Sequence, residues 1–280
     1  MKKKVVLITG ASSGMGKETA IFLSMNGYKV YAGTRNPDDT NELMREISNK
    51  NLDIKIIKLD VTDAASINSA TEQIREDSHT IDILINNAGY GLVSTVEDAS
   101  EEEMISQFDV NVFGVFRMCK AVIPFMREQN SGIIVNISSF LGKIGLPLLS
   151  FYNSSKYAVE GITDSLRYEL DSFNIRVHSV MPGFFNTNFA KENLVTNLET
   201  FNQSSAYSSL ASNLAPKIVE EINSGNNAIM VGKLILEIIN DDKFPARVTV
   251  GDKASKFIPM RKELSDEDFE RRVKEYYNLK

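Results

Sequence analysis

Tyr152 and Lys156 are the two residues whose types and spacing most directly suggest chemistry. A spacing of four places both side chains on one face of a helix. A phenol with its ordinary pKa of about 10 is a poor base at neutral pH. A lysine ammonium within ~4 to 6 Å favours the phenolate and makes such a phenol a workable acid or base. The pair therefore predicts proton transfer by Tyr152, with Lys156 as its electrostatic partner.

Ser139 supplies a second candidate group, because it closes the apolar run GIIVNISS (132 to 139) that precedes the tyrosine. Active sites of open parallel sheets lie at the carboxyl ends of the strands. A serine hydroxyl there can hydrogen-bond a substrate oxygen on which negative charge develops. Ser138 is the less favoured alternative. The YxxxK spacing is a weak pattern by itself, and its placement after a predicted strand gives it weight.

A glycine-rich stretch, TGASSGMG (9 to 16), follows the first apolar run and leads into an amphipathic segment. Gly10, Gly14 and Gly16 permit a tight turn and let backbone N–H groups reach a pyrophosphate, which a helix N-terminus stabilises. The spacing is GxxxGxG and differs from the commoner GxGxxG fingerprint. The stretch predicts a dinucleotide cradle, and an ordinary βα turn is the alternative.

The second apolar run, YKVYAG (28 to 33), indicates which dinucleotide is bound. A strand in this position normally ends in an acidic residue that binds the ribose of NAD. Here no acid is present at the strand end, and Arg35 follows. A guanidinium suits a phosphate, so the sequence predicts NADP(H), with Ser12 and Ser13 donating hydroxyls to the 2′-phosphate and Lys17 adding charge. A solvated loop arginine is the alternative.

Asp60 closes the third apolar run, DIKIIKLD (53 to 60). Its carboxylate can accept a hydrogen bond from the adenine amino group, or it can cap the following helix. We predict the cofactor role for Asp60 and the capping role for Thr62.

The elements that position these residues alternate in type. Continuous apolar runs indicate strands covered on both faces, as in a parallel sheet, and the intervening segments have helical spacing. Strands are predicted at 5 to 10, 28 to 33, 53 to 60, 81 to 89, 132 to 139, 175 to 183 and 247 to 251. Helices are predicted at 14 to 26, 38 to 50, 63 to 78, 101 to 129, 152 to 173 and 226 to 241. Repeated βα units predict an α/β fold with a doubly wound, Rossmann-like parallel sheet.

Two segments lie outside this alternation. Residues 186 to 226 are rich in Asn, Ser and Thr and have little strand character, so we predict a mobile helical or loop segment that forms a substrate lid. Residues 252 to 280 form a C-terminal extension, in which 263 to 280 predicts a terminal amphipathic helix or a solvated end. The economical interpretation is one domain spanning 1 to 280.

Composition excludes several classes of protein. The chain has 280 residues, 42% of them apolar, and a net charge of -6, which argues against nucleic acid as a partner. The sole cysteine, Cys119, predicts a buried structural thiol and a cytoplasmic setting. The apolar run after Met1–Lys4 is too short for a signal peptide, and no run approaches the ~20 residues of a membrane span. No metal site is predicted.

With these motifs in place, the chain resembles the short-chain dehydrogenase/reductase family over about residues 4 to 251. The motifs that carry the resemblance, in the family's order, are TGASSGMG (9 to 16), Asp60, NNAG (86 to 89), Asn111, Ser139, YNSSK (152 to 156) and PGFFNT (182 to 187). The segment VYAGTRN and the length beyond residue 251 look most like the branch of 17-beta-hydroxysteroid and retinol dehydrogenases, many of which use NADP.

The resemblance implies further roles near the catalytic pair. Asn87, Ala88 and Gly89 would line the adenosine side of the cofactor, with NNAG also stabilising the central sheet. Asn111 would kink its helix and hold a water that links Lys156 to solvent, which completes a proton relay from Tyr152. The alternative for Asn111 is an ordinary polar helix residue.

The resemblance also implies the remaining cofactor contacts. Met15 and Val61 would contact the dinucleotide beside the cradle and beside Asp60, respectively. Pro182, Gly183 and Thr187 would sit by the nicotinamide, with Thr187 orienting the carboxamide. The alternative for Thr187 is a helix N-cap. Tyr152 and Lys156 would contact the cofactor as well, the lysine through the nicotinamide ribose.

The predicted reaction is reversible hydride transfer between nicotinamide C4 and a carbonyl or secondary alcohol. We expect reduction of an apolar ketone or aldehyde, because cells keep NADP largely reduced and apolar residues flank the site. These residues are Phe140, Leu141, Leu146, Leu149, Phe184, Phe185, Phe189, Leu194, Leu198, Phe201 and Tyr207. The alternatives are an NAD(P)-dependent alcohol dehydrogenase that works oxidatively and a non-catalytic NADP-sensing protein. The family resemblance implies a homodimer or homotetramer formed through 101 to 129 and 152 to 173.

Overall fold

The computed structural model describes residues 3–279. Three residues lie outside this range, Met1, Lys2 and Lys280. The first two begin the basic stretch that was considered as part of a signal peptide, and the third ends the predicted C-terminal tail. The strands are β1 (Val5–Thr9), β2 (Lys29–Thr34), β3 (Ile54–Lys58), β4 (Ile83–Asn86), β5 (Gly91–Val93), β6 (Gly132–Ile137), β7 (Ile175–Pro182), β8 (Phe185–Asn186), β9 (Leu194–Thr196), β10 (Asn226–Asn227) and β11 (Arg247–Val250).

The helices pack around these strands. They are α1 (Gly14–Met25), α2 (Asn41–Lys50), α3 (Ala64–Ser78), α4 (Glu101–Phe108), α5 (Gly114–Glu128), α6 (Ser150–Leu170), α7 (Phe189–Glu192), α8 (Ser208–Asn223), α9 (Ile229–Asn240), α10 (Asp252–Glu263) and α11 (Asp266–Tyr277). Within residues 3–279, no helix combines the length and the apolar character needed to cross a membrane.

Seven strands form one parallel sheet in the order β11-β7-β6-β4-β1-β2-β3. The chain runs outward from β1 through β2 to β3, then returns to β4 and runs outward the other way. The carboxyl ends of β1 and β4 are therefore the point where the strand order reverses, and ligands of doubly wound sheets bind at such a point. The predicted fold class is confirmed.

Both faces of the sheet are buried, as the continuous apolar runs predict. Successive residues of a strand point to opposite faces. Val5 and Leu7 accordingly pack in the core under α3, α5 and α6, whereas Val6 and Ile8 pack in the core under α1 and α9.

A third apolar core lies beyond the carboxyl ends of β6 and β7, under the lid and the C-terminal extension. Phe269, Val273 and Tyr277 of α11 are buried in it together with Phe140 and Leu214. The C-terminal extension therefore belongs to the packed structure, and the solvated end that the sequence left open is wrong. The helix α10, which precedes α11, was not predicted.

Other differences from the sequence are local. The predicted helix 101 to 129 consists of α4 and α5 joined by a π-helical turn, Asp109–Phe113. Segment 186 to 226 contains the helices α7 and α8 and the three-residue strand β9, and β8 and β10 reach into it by one residue each, so the expected low strand content is confirmed. The helix predicted from 226 begins at Ile229, after β10.

Candidate active site

The glycine-rich turn after β1 is a close-packed cradle. Gly10 has a φ of +65°, and a Cβ placed on it would lie 2.8 Å from the Cα of Ala88. A Cβ on Gly16 would lie 2.4 Å from the carbonyl oxygen of Gly10. Gly14 has a φ of +55°. Because a Cβ essentially never approaches backbone atoms this closely, the cradle can form only with glycine at Gly10 and Gly16.

Asn87, in the predicted NNAG motif, fastens this cradle to the neighbouring strand. Its side-chain amide donates to the carbonyl oxygens of Thr9 and Gly10, at 3.0 and 2.9 Å. The backbone N–H groups of Asn87 and Ala88 both donate to the hydroxyl of Thr9, each at 3.0 Å. The Asn87 side chain thus shapes the loop that would hold a pyrophosphate.

Asn86, the first residue of the motif, supports the sheet itself. Its amide donates to the side-chain oxygen of Asn136 at 2.8 Å, and Asn136 donates to Thr163 at 2.9 Å. These buried bonds join β4, β6 and α6, as the resemblance implied for the motif. Asn86 also donates to the Sγ of Cys119 at 3.5 Å. Burial raises the pKa of this cysteine to about 12, which fits the predicted structural thiol.

Polar groups at the mouth of the cradle are available to a ligand. Among residues 3–279, no group ion-pairs or hydrogen-bonds with the exposed guanidinium of Arg35 or with the hydroxyls of Ser12 and Ser13. Lys17 differs from the expectation, because its ammonium lies 2.9 Å from a carboxylate oxygen of Glu42. Its charge is thereby compensated, whereas the guanidinium of Arg35 has no ion-pair partner in the part of the chain that the structure describes.

Asp60 follows β3, next to the end of β2. One of its carboxylate oxygens accepts from the N–H and the hydroxyl of Thr62, at 2.9 and 2.7 Å. The N-cap of α3 is Asp63, whose carboxylate accepts from the N–H of Ala65 at 2.8 Å. The predicted capping role of Thr62 is therefore wrong, because the helix begins one residue later and the hydroxyl of Thr62 turns back to Asp60.

Val61 lies between Asp60 and this cap. Its carbonyl oxygen accepts from Arg117 at 3.2 Å, and its side chain packs where a Cβ on Gly114 would stand, 2.8 Å away. The residue is therefore fixed against α5.

Tyr152 lies in the first turn of α6 and faces Ser139. Burial raises the pKa of the Tyr152 phenol to about 12, and the polar side chain of Ser139 opposes part of that rise. Ser138 instead bonds the backbone carbonyl of Lys156, at 3.5 Å. Of the two serines that the sequence left open, Ser139 is thus the one whose side chain acts on the pKa of the phenol.

Lys156 is buried one turn further along α6. Its ammonium donates to the carbonyl oxygen of Ile137 at 2.9 Å and lies 5.6 Å from the centroid of the Tyr152 ring. Burial lowers the pKa of Lys156 to about 8, and the negative charge of Glu160 opposes that shift. The ammonium therefore loses its proton at a pH close to neutral.

Asn111 lies in the π-helical turn between α4 and α5, where the helix is interrupted as the resemblance implied. Its amide donates to the carbonyl oxygen of Tyr90 at 2.9 Å and to the hydroxyl of Ser155 at 3.0 Å. Its carbonyl oxygen accepts from the N–H of Tyr90 at 3.0 Å. A Cβ on Gly89 would lie 3.1 Å from this oxygen and 3.6 Å from the ammonium of Lys156. π-turns of this kind often occur at functional sites.

A cleft opens over Tyr152 and Ser139, with a volume of about 570 Å³ including its part open to solvent. It brings together six of the predicted site residues and a wall of apolar side chains. The predicted residues are Met15, Ser139, Tyr152, Pro182, Gly183 and Thr187, and the others are Gly91, Ser138, Leu141, Leu149, Phe184, Phe185, Phe189, Leu194, Ile218 and Ile222. None of these described lining residues carries a charge.

Not all of the predicted apolar residues reach this cleft. Phe140 and Leu146 are buried in the third core, where Phe201 packs as well. Leu198 is 82% exposed. The hydroxyl of Tyr207 donates to Glu97 at 2.7 Å, on the outside of the lid.

Three lining residues were missed by the sequence analysis. Ile218 and Ile222 of α8 are four residues apart, and with Leu214 they form a helical stripe that the periodicity of the segment contained. No pattern in the sequence identifies Gly91 as a lining residue in the same way. A Cβ at this position would lie 3.5 Å from the ring of Tyr152.

Thr187 links the cleft to the cradle. A Cβ on Gly14 would lie 3.5 Å from the Cβ of Thr187. The Thr187 hydroxyl accepts from the N–H of Phe189 at 3.2 Å, in the manner of a cap for the short helix α7. The residue thus has a local structural role and also lies where the two halves of the site meet.

Together, the doubly wound sheet, the glycine cradle at its switch point and the buried tyrosine and lysine define an oxidoreductase of the dinucleotide-binding type. A family model described as short chain dehydrogenase matches residues 4–197, and the chain belongs to the short-chain dehydrogenase/reductase family.

Similar proteins agree with this assignment. The chain is 40% identical over 252 residues to a 3-ketodihydrosphingosine reductase of Bacteroides thetaiotaomicron, covering 90% of this chain and 89% of the relative. A short-chain dehydrogenase from Streptomyces avermitilis superimposes with a TM-score of 0.83 at 29% identity, covering 99% and 97% of the two chains. A family member from Burkholderia phymatum in complex with NAD gives 0.81 at 25% identity, covering 97% and 95%.

Proposed function

We propose that the protein is an NADPH-dependent reductase of uncharged, apolar ketones or aldehydes. One observation carries the proposal. The phenol of Tyr152 and the hydroxyl of Ser139 both line a cleft whose other lining residues are apolar or small and uncharged. A carbonyl compound with apolar substituents matches such a lining, because burying an unpaired charge there would be costly.

The residues fit a nicotinamide dinucleotide. At Gly10 and Gly16 the cradle leaves no room for a side chain. The helix α1 begins at Gly14, with its N-terminal N–H groups directed to the loop. Asp60 retains a carboxylate oxygen beyond the one bonded to Thr62 for an adenine amino group. When bound, the reduced cofactor would supply the hydride that adds to the carbonyl carbon.

Tyr152 supplies the proton. As the carbonyl carbon gains a hydride, its oxygen takes the phenolic proton of Tyr152 while Ser139 donates a hydrogen bond to it, and the product is an alcohol. The pKa of Tyr152 is raised to about 12, so the phenol is protonated at neutral pH and suited to act as an acid. The ammonium of Lys156 then stabilises the phenolate left behind.

The choice of NADP over NAD rests on the mouth of the cradle. Arg35 follows β2 with its guanidinium unpaired, beside the free hydroxyls of Ser12 and Ser13. A 2′-phosphate would give Arg35 the charge-assisted hydrogen bonds that it otherwise lacks. An NAD ribose would leave it without a partner.

For the substrate, we infer a long-chain ketone as the first candidate. The relative from Bacteroides thetaiotaomicron is named for such a compound. A sphingoid ketone also carries an amine, however, and no described residue of the cleft lining is an acid that could pair with an ammonium. We therefore expect a long-chain ketone without the amine to be reduced at least as well.

We also propose that the protein self-associates through α4, α5 and α6 and works in a reducing cytoplasm, where the buried thiol of Cys119 persists. These helices and the π-helical turn between α4 and α5 expose large apolar side chains at Ile105, Phe113, Phe116, Tyr157 and Tyr168. Sedimentation velocity tests the first point, since Phe113→Ser together with Phe116→Ser should convert a dimer or tetramer to a monomer.

The function itself is tested by following NADPH and NADH oxidation with a panel of ketones and aldehydes of increasing chain length, 3-ketodihydrosphingosine among them. We expect turnover with apolar carbonyls, a clear preference for NADPH, and loss of turnover in Tyr152→Phe with unchanged NADPH affinity. Tight NADPH binding without turnover of any compound would instead indicate a sensing protein. Faster oxidation of alcohols than reduction of ketones at neutral pH would indicate an oxidative dehydrogenase.

A further inference from the structure

The C-terminal helices contact the lid helix α8 through one carboxylate. Glu221 of α8 accepts hydrogen bonds from the ammonium of Lys253 at 2.6 Å, from the hydroxyl of Tyr276 at 2.7 Å and from the hydroxyl of Tyr277 at 3.1 Å. Lys253 belongs to α10, and the two tyrosines end α11. A single side chain of α8 therefore bonds both helices of the C-terminal hairpin, which we define as α10 and α11.

This contact is partly shielded from water, although Tyr276 is itself exposed. The side chain of Glu221 is 16% exposed, and Tyr277 is buried. Lys217, one turn earlier on α8, donates from its ammonium to the carbonyl oxygen of Tyr277 at 2.5 Å. Hydrogen bonds to ionised groups are roughly twice as strong as neutral ones, and a low local dielectric strengthens them further.

A neighbouring face of α8 forms part of the cleft wall. Ile218 and Ile222, the neighbours of Glu221 at three residues before and one after, line the cleft that contains Tyr152. Any change in the angle or position of α8 moves these two side chains relative to the tyrosine.

A row of aromatic contacts joins the hairpin to the catalytic end of the sheet. Tyr276 packs edge to face on Phe257 at 5.2 Å between centroids, and Phe257 lies 6.2 Å from Phe140. Phe140 in turn packs edge to face on Phe184 at 5.2 Å. Phe140 directly follows Ser139, and Phe184 lines the cleft. The hairpin thus supports two separate walls of the same cleft.

We propose that Glu221 is a positioning residue that couples the C-terminal hairpin to α8 and thereby sets the apolar wall of the substrate cleft. The hairpin then determines how well a long apolar chain is held beside Tyr152. The part of this inference that concerns substrate rests on the proposed function, whereas the coupling of the hairpin to α8 does not.

The coupling is tested on the full chain by hydrogen exchange, without substrate. Glu221→Gln keeps the shape of the side chain but removes the charge that holds Lys253. We expect the amides of α8 to exchange about five- to tenfold faster in this variant. Glu220→Gln, at an exposed neighbouring position, is the matched control and should leave the exchange unchanged. Tyr277→Phe removes one hydrogen bond while preserving the core, and should give a smaller increase.

The effect on the cleft is tested by steady-state kinetics with ketones of short and long chain. In Glu221→Gln we expect the KM for a long-chain ketone to rise about fivefold, with little change for a short ketone, in kcat or in the KM for NADPH. If the amides of α8 exchange at the same rate in Glu221→Gln, Glu220→Gln and wild type, the proposed coupling is overturned. Equal changes in KM for short and long ketones would overturn the role in the cleft. If the wild-type protein reduces no ketone, the proposed function fails, and the exchange data still decide the coupling.

Discussion

The ammonium of Lys156 donates a hydrogen bond of 2.9 Å to the carbonyl oxygen of Ile137, the last residue of β6. This bond ties the catalytic face of α6 to the carboxyl end of a central strand. It also holds a cation in a buried position, where burial lowers the pKa of Lys156 to about 8. The positive charge of Lys156 is needed for the proposed proton transfer, but its burial lowers the stability of the folded protein.

The first prediction concerns the pH dependence of stability. The folded-state pKa of Lys156 is about 8, below the ordinary value of about 10.4, so the unfolded chain binds more protons between these values. Wild-type stability should therefore rise with pH through this window relative to Lys156→Met, which cannot titrate. We expect the difference in the free energy of unfolding to shift by about 2–3 kcal/mol in favour of wild type between pH 7.5 and 10.5.

Urea denaturation at several pH values measures this shift. Lys120→Met, at an exposed position on α5, is the control and should show no such trend relative to wild type. A constant difference between Lys156→Met and wild type across the window would contradict the pKa assigned to the lysine.

The second prediction concerns the pH dependence of reduction. Tyr152 has a pKa of about 12 and stays protonated well above neutral pH, so the first group of the pair to titrate is Lys156, near pH 8. Deprotonation removes the charge that stabilises the phenolate. The kcat/KM for a ketone should therefore be constant up to about pH 8 and fall above it.

Glu160 provides a sharper form of the same test. Its negative charge raises the pKa of Lys156, so Glu160→Gln should move the falling limb of the profile to lower pH. Glu169→Gln, exposed on the same helix, should leave the limb in place. A limb that does not move in Glu160→Gln would show that another group controls the rate.

These predictions depend on the positions and burial of Tyr152 and Lys156, which could be predicted from the sequence only in part. The alternation of apolar runs and helical segments sufficed for the sheet, because a strand buried on both faces has a distinctive composition. The spacing of Tyr152 and Lys156 sufficed to place them on one face of a helix. The burial that shifts their pKa values in opposite directions depends on tertiary packing, which a local pattern does not specify.

The two points that the sequence left wrong or open, the N-cap of α3 and the C-terminal tail, share a physical cause. Thr62 and Asp63 are both good N-cap residues, and the difference between them depends on where the chain leaves β3. The tail was ambiguous because Phe269, Val273 and Tyr277 are spaced by four along a charged helix, and such a stripe is buried only if a matching surface exists. That surface, the third core, is assembled from distant parts of the chain.

The third prediction tests the cradle. In Gly16→Ala the new Cβ would lie 2.4 Å from the carbonyl oxygen of Gly10 and 2.5 Å from the amide nitrogen of Asn87, so the loop must move. We expect NADPH affinity to fall at least about tenfold and the free energy of unfolding to fall by about 1–3 kcal/mol. In the control Gly161→Ala, no atom lies within 4 Å of the new Cβ, and helix propensity should stabilise the protein by about 0.5–1 kcal/mol. Fluorescence titration and thermal denaturation measure both effects, and a Gly16→Ala protein with normal affinity would refute the assigned cradle.

The fourth prediction concerns Arg35 and the choice of cofactor. Since no described residue pairs with this guanidinium, its removal should cost little stability, and any effect on binding reports its contact with the ligand. We expect Arg35→Ala to weaken NADPH binding about 10- to 100-fold, the loss of one or two charge-assisted hydrogen bonds, with NADH binding unchanged. Arg45→Ala, at an exposed position on α2, should change neither. Parallel titrations with both cofactors make the comparison. If Arg35→Ala weakened both equally, the guanidinium would be acting on a part that the two cofactors share, and the preference for NADP would have to come from Ser12 and Ser13 or be absent.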